Sequence, residues 1–356
     1  MQHFGNILGS EESLFKNEIA LDYSFIPKMI PYREMQQRQI AACIKPLFAE
    51  RNGRNLLIHG PPGVGKTVAC KHVVNEIEEH TEDIYVIYVN CWQRKTTYQI
   101  ALEICDVLGY KFTQNKKTEE LMEMVKQLLN KKSAVFVFDE VDKLEDTDLL
   151  YYLLEEIYKK SIIMITNYKE WAGNLDERIK SRLTAELLEF RPYNLAETKG
   201  ILKNRLDYAF VSGVFQDDAF EEIVKKTFEH RDIRQGLYLM KEAGNIAEER
   251  ASRKIEKRDV ENAIEKLNEF SIKNPEELED DTQFVLDVIK KNSGEKIGDV
   301  FRKYQEDGGK RAYKSFQRKI KTLEQGKFIE TEKLVGAGGN TTILRYKAKE
   351  KKLTDF

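Results

Sequence analysis

The chain has 356 residues, enough for two or three domains at roughly 100–200 residues each. It is 41% apolar and 33% charged, with 7 prolines and 20 glycines, which excludes collagen-like and low-complexity chains and leaves a charge-rich globular protein. The net charge of −2 hides an asymmetry: residues 282–356 hold 18 Lys+Arg and 10 Asp+Glu (net +8), so the totals of 58 and 60 leave 40 and 50 (net −10) for residues 1–281. An acidic body with a basic C-terminal module points to an end that meets a phosphate backbone, although a solvated lysine-rich surface gives the same arithmetic.

No apolar run approaches the ~18 residues of a membrane helix; the longest are AVFVF and SIIMI. The N-terminal MQHFGNILGS lacks the basic and apolar regions of a secretion signal. Cys43, Cys70, Cys91 and Cys105 form no CxxC pair, so neither a zinc site nor a disulfide framework is indicated. A reducing, intracellular compartment fits these features.

Residues 1–55 read as a polar lead and then a helix around Tyr32–Arg51. From Asn55 short apolar runs alternate with amphipathic helical stretches: NLLIHG and a helix from Lys66, IYVIYVN and a helix from Thr96, AVFVFDE and a helix from Asp148, then SIIMITN. Buried runs separated by helices predict a parallel sheet covered on both faces. After Phe190-Arg191-Pro192-Tyr193, residues 195–270 are helical in period, and Lys273–Asp281, with a proline in an acidic run, reads as a linker. The last 75 residues predict three helical segments and two short strands.

Residues 60–67, Gly-Pro-Pro-Gly-Val-Gly-Lys-Thr, match the phosphate-loop spacing. Glycines let successive N–H groups turn toward a phosphate, Lys66 neutralises β/γ-phosphate charge, and the Thr67 hydroxyl is placed for Mg²⁺. The apolar strand ending in Asp139-Glu140 adds a carboxylate for Mg²⁺ (Asp139) and a general base for water (Glu140). Together they point to nucleoside triphosphate hydrolysis, with adenine favoured because no guanine-reading NKxD-type sequence is present. Asn167, ending the next strand, either orients water near the γ-phosphate or caps the strand end. Arg178 and Arg182 are candidates for an arginine finger, and an exposed basic helix is the plainer alternative. Arg234 is placed to close a lid helix onto the γ-phosphate; alternatively Asp232 is an N-cap and Arg234 a surface residue.

In the C-terminal module Tyr313, Phe316, Ile320 and Leu323 recur at helical spacing, and the opposite face carries Arg311, Lys314, Ser315 and Arg318. This predicts a recognition helix over residues 310–323, braced by a helix over Lys296–Glu306. Phe328–Lys333 and Thr341–Lys347 predict a hairpin turning around Gly336, Gly338, Gly339 and Asn340.

The order of these signals resembles the AAA+ ATPases: Walker A at 60–67, Walker B at 139–140, sensor 1 at Asn167, a finger at 178–182 and sensor 2 at Arg234. Within them the chain is similar to the archaeal replication initiators related to origin-recognition and Cdc-type proteins. Phe25-Ile-Pro-Lys-Met-Ile-Pro-Tyr-Arg33-Glu-Met-Gln36, Val89-Asn-Cys-Trp with Thr96-Thr-Tyr98, and Phe190-Arg-Pro-Tyr193 carry that likeness.

The resemblance implies an α/β P-loop AAA+ core with a parallel sheet (1–192), an all-α lid (193–274) and a winged helix (275–356). It implies a slow ATPase that acts as a switch, with Mg²⁺ on Thr67 and Asp139. Pro31 and Arg33 are expected near the adenine end, Gly63, Val64, Gly65, Lys66 and Thr67 at the phosphates, and Tyr193, Arg205 and Arg234 against the nucleotide from the lid. Lys66, Asp139, Glu140, Asn167 and Arg234 are the expected catalytic set. Arg182 is the expected finger, with Arg178 the fallback. Double-stranded origin DNA is expected at Arg311, Lys314, Ser315, Arg318 and Asn340, and at Arg94, Lys95 and Thr96 in a helical insertion over Arg94–Gly109. The replicative helicase, other initiator paralogues and polymerase-associated proteins are the implied partners. A switch whose winged helix docks protein, and a promoter-binding regulator, are the alternatives.

Overall fold

The computed structural model describes residues 13–271, 280–309, 312–325, 328–336 and 339–346. They form two compact units, Met1–Val260 and Glu261–Phe356.

The first unit is built on five strands: β1 (Leu56–His59), β2 (Ile84–Asn90), β3 (Ser133–Asp139), β4 (Lys160–Thr166) and β5 (Glu186–Glu189). Their order is β2-β3-β4-β1-β5 and every pairing is parallel. Side chains alternate across the sheet, so successive residues feed two cores. Leu57, Ile87, Val89, Phe136 and Phe138 pack with α3 (Thr97–Val107), α4 (Thr118–Leu129), α5 (Asp148–Glu156) and α6 (Glu177–Leu183) on one face. Leu56, Ile58, Val86, Val135 and Val137 pack with α1 (Glu34–Ile44) and α2 (Lys66–His80) on the other. This is why the strands read as continuous apolar runs, and β3 is buried at every position.

Because the helix after β1 covers one face and the helix after β3 the other, the chain leaves the carboxyl ends of β1 and β3 in opposite directions and opens a crevice there. Four helices follow: α7 (Leu195–Ala209), α8 (Asp217–His230), α9 (Ile233–Glu249) and α10 (Lys257–Ser271). Asn194 caps α7 in a box with Glu197, at 2.8 and 2.9 Å.

The second unit has α11 (Asp280–Lys291), a two-residue strand β6 (Glu295–Lys296), α12 (Ile297–Glu306), α13 (Tyr313–Gln325), β7 (Ile329–Gly336) and β8 (Gly339–Tyr346). The strands form an antiparallel sheet in the order β6-β8-β7. Phe316, Ile320 and Leu323 of α13 pack with Leu286, Ile289, Val300 and Tyr304. Three helices and this hairpin make a winged helix.

Several expectations are corrected. The helix expected over Tyr32–Arg51 stops at Ile44 and continues as a 3₁₀ turn over Lys45–Ala49, because Pro46 lacks an N–H and restricts the residue before it. The hairpin strands run further than expected, to Gly336 and from Gly339, so Asn340 pairs with Val335 inside β8. Tyr313 is 39% exposed, yet its ring packs edge-on against Phe301 at 4.9 Å, at the margin of the apolar face that Phe316, Ile320 and Leu323 bury.

Candidate functional site

The loop between β1 and α2 is shaped by two glycines in the left-handed region, Gly63 (φ +74°) and Gly65 (φ +85°). A side chain at Gly63 would collide with the Asp232 carboxylate, and one at Gly65 would stand 2.8 Å from the Tyr193 hydroxyl. The loop and the segments around Tyr193 and Asp232 are thus in direct contact, helped by Ile233 donating its N–H to the Gly63 carbonyl at 3.3 Å.

Lys66, the first residue of α2, is buried. Its Nζ donates to the carbonyls of Gly60 (2.7 Å) and Pro61 (2.8 Å) and to Asn167 Oδ1 (2.8 Å). Burial draws its ammonium down to about 8, against the opposing pull of Asp139. An anion here would replace neutral acceptors with a charge-assisted partner.

Beside it, Asp139 at the end of β3 is 3% exposed. Its Oδ2 accepts from Thr67 Oγ1 at 2.8 Å and from the Tyr88 hydroxyl at 2.5 Å, and its Oδ1 accepts from the Glu140 N–H at 3.0 Å. Glu140 itself adopts φ +55°, a strained backbone for a residue with a side chain, of the kind that collects at functional sites. Burial, then the neighbouring Asp139, raises the Glu140 carboxyl. Thr67 Oγ1 and Asp139 Oδ2 are adjacent oxygen donors, the type of set a hard divalent cation takes.

A cavity of about 240 Å³ joins these groups. Gly63 to Thr67, Asp139, Glu140, Asn167 and Arg234 all line it. The lead adds Tyr23, Ile26, Pro27, Met29, Ile30 and Pro31 to its lining, and Tyr193, Ile201, Arg205 and Leu237 complete it. Arg205 donates to the carbonyls of Ala20 (3.1 Å) and Phe25 (3.2 Å), and its guanidinium lies 5.0 Å from the Phe25 ring centroid. It holds the lead against α7.

Arg33 is a correction. It does not line the cavity but lies buried under the loop, donating to the carbonyls of Val64 (3.1 and 3.2 Å) and Arg191 (2.6 Å) and to the Tyr193 hydroxyl (3.1 Å). Arg178 pairs with Asp176 at 3.1 Å and Arg182 pairs with Glu155; neither lines the cavity. Arg234 does line it, bound to Asp232, which also caps α9. Asp232 is thus the cap, and Arg234, with its side chain half exposed, is also part of the cavity lining.

Tyr88 went unread in the sequence. It pairs with Val137 across β2 and β3, so it stands diagonal to Asp139 on the same face; only the register reveals this.

The residues expected at DNA are scattered. Arg94 pairs with Glu103 at 3.0 Å, and Thr96 caps α3 by accepting the Gln99 N–H at 3.3 Å. The Lys95 N–H donates to Gln99 Oε1 at 2.9 Å. On α13, Lys314 and Arg318 are exposed and Ser315 half-buried. Arg311 and the side chain of Asn340 lie outside the described residues.

Residues 49–166 match the model of an AAA domain, and residues 199–265 match that of the Cdc6 AAA+ ATPase-type lid domain. The chain is 31% identical to ORC1-type DNA replication protein 2 of Archaeoglobus fulgidus, over 92% of this chain and 89% of that protein. The fold matches that of the Aeropyrum pernix ORC1 protein in complex with DNA, with a TM-score of 0.75, 25% identity and 96% and 95% of the two chains covered. It also matches the Aeropyrum pernix ORC2 protein in ADPNP–ADP complexes, with a TM-score of 0.68, 15% identity and 94% of each chain covered. Among the described residues no helix is long and apolar enough to cross a membrane. With the phosphate loop, the paired carboxylates and the Cdc6-type lid in place, the chain belongs to the family of ORC1-type DNA replication proteins, which are AAA+ ATPases.

Proposed function

We propose that the protein is a replication initiator that binds ATP in this cavity, hydrolyses it slowly as a switch, and binds double-stranded origin DNA. The observation that carries the reading is the convergence of Lys66, Thr67, Asp139, Glu140, Asn167 and Arg234 on one cavity that Ile26, Pro27, Ile30, Pro31, Ile201 and Leu237 also line. A nucleoside triphosphate has the same combination of polar and apolar groups. We take residues 1–192 as core, 193–274 as lid and 275–356 as winged helix.

The loop N–H groups from Gly63 to Thr67 and the start of α2 would hold the phosphates. Lys66 would give up the Gly60 and Pro61 carbonyls for phosphate oxygens. Mg²⁺, held by Thr67 Oγ1 and Asp139, would neutralise the β- and γ-phosphate charge. Glu140 accepts a proton from the attacking water as its oxygen bonds to the γ-phosphorus and the bond to the β-phosphate oxygen breaks. Asn167, held by Lys66, orients that water. Pro31, Tyr193 and Arg205 shape the base and ribose end, while Arg33 acts through the loop backbone. Arg182 lies outside the cavity, so it would reach a phosphate only in a neighbouring copy.

Arg234 belongs to the lid and faces the cavity, so a γ-phosphate present in ATP and absent in ADP biases how the lid sits on the core. The DNA complex of the Aeropyrum pernix ORC1 protein and the exposed Lys314 and Arg318 of α13 support a DNA-reading winged helix, with a second contact around Arg94, Lys95 and Thr96. Recruitment of the replicative helicase would follow.

Titration with a fluorescent ATP analogue tests the nucleotide half. Binding by the wild type, its loss in Lys66→Ala, and binding without turnover in Glu140→Gln are expected. Equal binding by wild type and Lys66→Ala would refute it.

A further inference from the structure

The phosphate loop already carries an anion of the chain's own. Asp232 is mostly buried, with a side chain 15% exposed, and its carboxylate lies so close over Gly63 that no side chain fits there. It grips Arg234 with both oxygens. Arg234 Nη2 donates to Oδ2 at 2.7 Å, Nε donates to Oδ1 and Oδ2 at 3.0 and 3.2 Å, and the Arg234 N–H donates to Oδ1 at 2.9 Å. The cation proposed to meet a γ-phosphate is therefore already neutralised, by a group seated on the loop meant for phosphates.

We propose that Asp232 sets the preference of this site for nucleoside triphosphate over diphosphate by competing with the terminal phosphate for Arg234. The inference rests on the nucleotide reading above. A triphosphate brings one more anionic group than a diphosphate, so it gains more from a released guanidinium. Part of that gain is consumed in loosening the Asp232–Arg234 pair. Asp232 thereby sets how sharply the lid distinguishes the two nucleotides, as a positioning residue acting through Arg234.

The two duties of Asp232 can be separated. Asparagine caps a helix as well as aspartate. Asp232→Asn keeps the Oδ1 acceptor for the Arg234 N–H and Nε, and removes the charge that holds Nη2. Asp232→Ser keeps a cap by a shorter side chain and serves as the second variant if the first fails to fold.

The experiment titrates the full chain with ADP and with a non-hydrolysable ATP analogue, in wild type and Asp232→Asn, each with and without Arg234→Ala. Asp232→Asn is expected to tighten the triphosphate by roughly two- to fivefold, the scale of one partly exposed ion pair, and the diphosphate less. The gain in preference should vanish when Arg234 is alanine. An unchanged or reduced triphosphate preference would overturn the proposal, as would a gain that persists without Arg234, since Asp232 would then act by direct repulsion. If the wild type binds neither nucleotide, the nucleotide reading itself fails; if it binds both and Asp232→Asn shifts nothing, only this inference fails.

Discussion

The Arg33 guanidinium lies 3.9 Å from the ring centroid of Tyr193 and donates to that residue's hydroxyl at 3.1 Å. Its other acceptors given above are main-chain carbonyls, and the Phe190 ring lies 5.1 Å away. A buried cation is costly unless its donors are used, and here dipoles and aromatic faces hold it. The three carbonyl and hydroxyl partners come from the phosphate loop, the end of the sheet and the approach to α7. Arg33 thus fixes the loop to the start of the lid.

Arg33→Lys should expose this role. A lysine keeps the charge but loses the planar fork, so several acceptors go unmet. The expected cost is about 2–4 kcal/mol of stability, read as a lower thermal midpoint, with weaker nucleotide binding through a loosened loop. An unchanged midpoint would show that the fork is dispensable.

Tyr88→Phe removes one of two hydroxyl donors to Asp139 Oδ2 and leaves the ring. The expected loss is about 1 kcal/mol in the ordering of that carboxylate. Nucleotide binding measured without divalent cation should be unchanged, while the Mg²⁺ concentration needed for half-maximal enhancement of binding should rise roughly threefold to tenfold. Loss of cation-independent binding would instead indicate general damage to the sheet.

Asp259 supplies a pH dependence. Burial pushes its carboxyl up, but hydrogen bonds from Arg250 and the Glu256 N–H outweigh this and hold it below the usual aspartate range. A carboxyl depressed in the folded state contributes stability that is fully present above its unfolded value and is lost as the pH falls through its folded value. Asp259→Asn should therefore cost about 2–4 kcal/mol at neutral pH and flatten the acid limb of a stability–pH curve. An acid limb as steep as that of the wild type would assign it to other carboxylates.

Much of the fold was legible because the signals are local. β1 to β4 are covered on both faces, which forces continuous apolar runs. β5, one of the sheet's two edges, reads Glu-Leu-Leu-Glu, with Leu187 54% exposed and Leu188 buried; it is covered on one face only, so it lacks that signature. β6 is only two residues long, and its existence depends on β8. The phosphate loop was legible because its geometry is contained in eight consecutive residues. Arg33 and Tyr88 were misassigned or missed because their partners lie 160 and 51 positions away along the chain. No local spacing encodes such contacts.

The most direct test of the initiator reading is duplex-DNA binding by fluorescence anisotropy across a salt series, for the full chain and for Lys314→Glu. The expected result is binding whose log K falls steeply with log salt, with the slope reduced by about 1 or more in the variant. Absence of duplex binding at physiological salt, or a variant indistinguishable from wild type, would contradict a DNA-reading α13 and favour a winged helix that docks protein.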